Sequence, residues 1–212
     1  MSRQSDPERT QFLFFFFLLF YGVQLALSFF IPRMPPFIDF TTVVGILLVF
    51  YLIHRKHALP WMLPLCLGIG FLPHIIGLYQ SIPYNAYYTG TLYGAPQLFS
   101  QYDLFVHSVG FGILALAFCM AARPYIKTTL PTVFTFAILL LCMVGFGALN
   151  EVLEYAGYTA FGYGEGFLEY GPGDYGPDKG PWKDAMQDLT ANLFGGSLAI
   201  LLYFRFRKTI FS

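Results

Sequence analysis

The chain has 212 residues, of which 56% are hydrophobic, 20% aromatic and only 11% charged. Soluble domains carry about 25% charged residues, so water is not the main solvent of this chain. Twelve Lys and Arg offset twelve Asp and Glu, and no basic tract is present, which excludes nucleic acid as a partner.

Taken in chain order, apolar runs lie at about 12–31, 37–53, 61–80, 104–122, 130–149 and 185–204. Each approaches the roughly 20 residues that a helix needs to cross a bilayer. They predict an all-α, polytopic integral membrane protein with six transmembrane helices in a single domain spanning 1–212. The first run follows Arg3 and Arg9 as a secretory signal would, but its apolar core is about 20 residues and no small-x-small cleavage pattern follows, so it reads as a retained helix. Cys66, Cys119 and Cys142 stand singly inside apolar runs and read as small hydrophobes. His54 and His57, flanking Arg55 and Lys56 in a short turn, read as surface residues near lipid headgroups.

Lys and Arg divide unequally between alternate connections. One set holds Arg3, Arg9, Arg55, Lys56, Arg123, Lys127, Arg205, Arg207 and Lys208; the other holds Arg33, Lys179 and Lys183. Cytoplasmic loops retain positive charge, so both termini are expected in the cytoplasm. The long connections at 81–102 and 157–183 then lie on the outer side. The first is uncharged and rich in Tyr, Gly and Pro; the second is rich in Gly and holds Glu165, Glu169, Asp174 and Asp178. Connections of that length are usually functional or mobile, and these could cover a site at the outer surface.

The acids follow the same asymmetry. Asp39 starts the second run, Asp103 the fourth, Glu151 and Glu154 end the fifth, and Asp184 and Asp188 begin the sixth. Asp103 and His107 are four apart, Glu151 and Glu154 three apart, and Asp184, Asp188 and Asn192 form an i, i+4, i+8 stripe, so each set shares one helix face. With those faces turned inward, several carboxylates and an imidazole would converge just below the outer surface, while no Lys or Arg lies within these apolar segments. Three readings stay open: a divalent metal held by oxygen ligands and one imidazole, a proton or solute site, or helix caps and interhelical polar packing. His74, directly after Pro73, either approaches this cluster or satisfies backbone groups freed by a kink.

Three elements resemble those of YjdF-like bacterial inner-membrane proteins. Tyr102, Asp103 and His107 are similar to a Tyr-Asp-x-x-x-His element, and Asn150, Glu151, Glu154 and Tyr155 contain a Glu-x-x-Glu-aromatic element. Trp182, Asp184, Gln187 and Asp188 resemble a Trp-Asp-x-Gln-x-Asp element, although here Lys183 separates Trp182 from Asp184 and Gln187 adjoins Asp188. More distantly, the order Asp103 and His107, then a Glu, then Asp188, Asn192 and Gly195 resembles VanZ-like proteins. The resemblance covers the second half of the chain and implies a multi-pass protein of a bacterial cytoplasmic membrane with a common polar site; it brings no reaction with it.

The functional expectation is an outward-facing pocket that binds a divalent cation and acts on, or senses, a membrane lipid or cell-envelope component. Asp103, His107, Glu151 and Asp188 are the candidate metal ligands, and Glu154 and Asp184 the candidate general bases. A proton- or cation-coupled transporter and a non-catalytic membrane accessory protein are the competing readings. The shortage of ionisable groups in the inner halves of the runs favours a one-sided pocket over a through pathway.

Overall fold

The computed structural model describes residues 7–31, 37–80, 102–122, 125–126, 130–161 and 180–206. Helices α1 (Pro7–Ser28) and α2 (Phe37–His57) are followed by two short helices, α3 (Met62–Gly70) and α4 (Leu72–Gln80). Then come α5 (Tyr102–Phe105), a π-helical turn at Val106–Gly110, α6 (Phe111–Ala122), α7 (Thr132–Phe161) and α8 (Gly180–Phe206). No strand occurs among the described residues. Among the described residues, five helical segments are long and apolar enough to cross a membrane: Pro7–Ser28, Phe37–His57, Tyr102–Ala122, Thr132–Gly157 and Trp182–Phe206.

The third apolar run departs from the continuous helix expected of it. It divides at Phe71, just ahead of Pro73, whose ring and missing N–H interrupt the helical bonding toward Ile69. His74 therefore sits in the first turn of α4. The fifth and sixth runs are longer than hydropathy suggested. Asn150 to Phe161 holds no proline and several good helix formers, so α7 continues through Glu151 and Glu154 where the apolar signal stops. At the other end of that connection, Pro181 suits the first turn of α8, which puts Asp184 inside the helix and not at its cap. The connection expected at 157–183 is thus helical at 157–161 and 180–183, and the rest of it, like 81–101, lies outside the described residues. The expectation for His54 is also corrected: it is only 7% exposed, packed against Phe14, while His57 is exposed. Cys66 and Cys119 are buried as expected, but Cys142 is exposed on α7.

Helix α8 is the centre of the second half, packing against α6, α7 and the π turn, whereas α6 and α7 touch each other only slightly. Behind α6 lies α3, and behind α3 the α1–α2 pair. A Cβ on Gly195 would collide with the Ser108 backbone, so this glycine is what lets α8 lie directly on the π turn. The two ends of the molecule differ in kind. Arg9 lies 3.6 Å over the Trp61 ring and His57 meets Tyr125, so the start of α1, the end of α2 and the α6–α7 connection share one end. Asp39, in the first turn of α2, belongs to the opposite end.

Candidate functional site

Asp103, His107, Glu151, Glu154, Asp184 and Asp188 are all buried, and so is Asn192. Their helices explain why they meet. Asp103 and His107 lie on one face across the start of the π turn, with His107 Nε2 3.5 Å from Asp103 Oδ1. Glu151, from α7, brings Oε1 to 3.9 Å from the other ring nitrogen, Nδ1. Asn192 of α8 places its Oδ1 3.1 Å from that same Nδ1. The ring is held flat against Phe111, with centroids 5.4 Å apart and planes within 6°. A π turn opens the helix by one residue and commonly marks a functional position; here it carries the one imidazole to which three helices point.

Asp188 is the most enclosed of the acids around His107, at 1% exposure. Its carboxyl is in hydrogen-bonding contact with that of Asp103 and within electrostatic reach of Asp184 and Glu151. Its Oδ1 has no hydrogen-bond partner among the described residues. Two carboxyl groups face each other in this way only with a proton or a cation between them. Ligand atoms of Asp103, His107 and Asp188 fall within 4.8 Å of one another, and so do those of His107, Glu151 and Glu154, so either trio could hold a metal ion. Asp184 lies beside Asp188 but belongs to neither trio.

A cavity of about 60 Å³ opens beside these groups, lined by His74, Asp103, His107, Phe111, Asn150 and Glu154 among others. It has room for a few water molecules. Glu154 is aimed by Asn150, whose Nδ2 donates to Oε1 at 2.6 Å. Across the cavity stands a second carboxylate–imidazole pair: His74 Nε2 lies 3.5 Å from Oδ1 of Asp39, a wholly buried acid. The Tyr102 hydroxyl donates to the Pro73 carbonyl and so ties α5 to the turn that carries His74.

The sequence reading of the acid faces thus finds its residues assembled, with α8 as the bridge between the other two spans. What it left aside is the Asp39–His74 pair. A lone acid in an apolar run and a histidine directly after a proline were the available signals, but nothing in their spacing links positions 39 and 74. Phe111 was equally hidden, because an aromatic within an apolar run has many commoner uses, and Asn150 stood in the Glu-x-x-Glu-aromatic run without a role of its own.

These features define a polytopic helical membrane protein with a carboxylate–imidazole cluster buried at one end of its helices. The chain belongs to a family of membrane proteins: the family described as "Predicted membrane protein (DUF2238)" matches residues 10–209. No curated protein and no solved structure matches the chain.

Proposed function

We propose that this protein spans a bacterial cytoplasmic membrane six times, with the α3–α4 pair as the broken sixth crossing and both termini in the cytoplasm. In this reading its outward pocket binds a divalent cation through residues drawn from Asp103, His107, Glu151 and Asp188, and acts on, or senses, a lipid or cell-envelope component at the outer leaflet. The topology rests on the nine-to-three division of Lys and Arg. The YjdF-like and VanZ-like resemblances rest on the motifs alone.

The cation reading is carried by one observation: buried carboxyls from three spans surround a single imidazole, and Asp188 Oδ1 among them lacks a hydrogen-bond partner among the described residues. Burying so much like charge is costly unless something positive joins it. A bound cation would polarise a phosphoryl or carbonyl oxygen and activate water. Glu154, which lines the cavity and is oriented by Asn150, then suits the general base better than Asp184, which is not among the described lining residues.

Elemental analysis of the detergent-purified protein tests this directly. The expected result is a stoichiometric divalent ion in the wild type that is lost in Asp188→Asn and in His107→Gln. A wild type with no ion above background, and with a melting temperature unmoved by added Mn²⁺, Zn²⁺, Mg²⁺ or Ca²⁺, would remove the cation reading and leave a polar packing cluster.

A further inference from the structure

Granted the cation site proposed above, we infer that the ion is a first-row transition cation seated on Nε2 of His107 together with Asp103 and Asp188, and that Asn192 selects this seat by fixing the imidazole tautomer. The two possible ligand trios compete for one ring. The ring nitrogens point away from each other, so a single ion takes one of them, and a neutral imidazole offers one lone pair and one N–H.

Asn192 decides between them. Its Oδ1, 3.1 Å from Nδ1, can only accept, so Nδ1 carries the hydrogen and donates it to Asn192. The lone pair is left on Nε2, the nitrogen that faces Asp103 at 3.5 Å. That spacing is long for an N–H···O bond, which prefers about 2.7–3.2 Å. It is close to the separation of about 3.0–3.4 Å between neighbouring ligand atoms when each sits about 2.1 Å from a shared metal. Asp188 supplies the third ligand: its carboxyl meets that of Asp103, and its Oδ1, in a residue 1% exposed, has no hydrogen-bond partner among the described residues.

On this assignment Glu151 and Glu154 stand outside the coordination shell. Glu154 Oε1 already accepts a hydrogen bond from Asn150, which leaves it as a group that faces the cavity. Gly147 of α7 has a place in the same device. A Cβ there would come within 2.7 Å of Asn192 Nδ2, so the glycine leaves room for the Asn192 amide beside His107. One imidazole with two carboxylates suits Mn²⁺, Fe²⁺ or Zn²⁺, whereas Mg²⁺ and Ca²⁺ prefer all-oxygen shells.

The test is titration of the full-length protein in detergent with Mn²⁺, Zn²⁺, Mg²⁺ and Ca²⁺ separately, with pulsed electron paramagnetic resonance on the Mn²⁺ form. The expected signal is a single directly bound histidine nitrogen, absent in His107→Gln, with Mn²⁺ and Zn²⁺ held at least about a hundredfold more tightly than Mg²⁺ or Ca²⁺. Asp188→Asn should weaken Mn²⁺ by a hundredfold or more and Asn192→Leu by about 10–100-fold, the usual effect of losing an outer partner. Asn192→Asp, which still accepts the Nδ1 hydrogen, should keep both affinity and nitrogen signal, and Glu154→Gln should cost less than about tenfold. If no cation of any kind binds, this seat and the proposed function fall together. Cation binding without a nitrogen signal, equal loss in Glu154→Gln and Asp188→Asn, or equally tight Mg²⁺ would overturn this seat alone and leave a cation site of another composition.

Discussion

The half of the protein built from α1, α2 and α3 is held together by rings and aliphatic chains, whereas the half built from α6, α7, α8 and the π turn is held around glycines and buried charge. In the first, Phe14, Tyr21, Phe40 and Leu47 are completely enclosed, and Phe14 packs against both Tyr51 and His54. In the second, Gly195 lies on the Ser108 backbone and Gly112 close to Gly195, while Asp103, His107, Glu151, Glu154, Asp184 and Asp188 are buried in the same half. Mean hydropathy does not separate them cleanly, at 1.8 and 2.0 for α1 and α2 against 2.1, 2.3 and 1.3 for the three later spans. The difference lies in what their close contacts are for. An aromatic core fills space and tolerates exchange of one large apolar group for another; a close-packed polar core fixes the positions of particular atoms.

The largest expected effect follows from this contrast. Gly195→Leu should cost about 3 kcal/mol of stability by forcing α8 off the π turn, while Phe14→Leu, which keeps an apolar side chain of similar bulk, should cost under about 1.5 kcal/mol. Denaturant unfolding in micelles measures both, and equal losses would erase the distinction between the halves. Next in size is Asp188→Asn. In the presence of a chelator, removing one of several facing negative charges should raise stability by about 1–2 kcal/mol, and added Mn²⁺ should restore the advantage to the wild type. A variant less stable than the wild type under chelation would mean that the carboxyl is fully compensated without an ion.

A smaller effect concerns the Asp39–His74 pair, which ties α2 to α4. A double-mutant cycle with Asp39→Asn and His74→Gln should yield a coupling of about 1 kcal/mol, and additive losses would show two independent groups. Smallest is Tyr21→Phe, which removes the 2.6 Å hydrogen bond to the Gly68 carbonyl between α1 and α3 and should cost about 1 kcal/mol or slightly less. A loss as great as that of Gly195→Leu would make the ring-filled half depend on polar contacts too.

How far the site could be read in advance varied with the kind of information each residue carries. Asp103 with His107, and Asp184 with Asp188 and Asn192, were legible because a helix converts a spacing of four into a shared face. Glu151 and Glu154 were read correctly as neighbours but misplaced at the end of their helix, since an apolar window detects where hydrocarbon is favoured and not where helical bonding stops. Asp39 and His74 were invisible as a pair, because 35 positions separate them along the chain and no helical period relates them.

Apolar content, run lengths and the sidedness of Lys and Arg were enough, from the chain alone, to indicate a helical membrane protein with its acids gathered toward one end. These are one-dimensional properties, settled by transfer between water and hydrocarbon and by helical periodicity. Only the folded arrangement decided that α8 stands between α6 and α7, that Pro73 breaks the third run so that His74 meets Asp39, and that Asn192 reaches one edge of His107 while Asp103 reaches the other. Those relations depend on which helix faces approach and how closely, and glycines at 147 and 195 control that distance through atoms they lack.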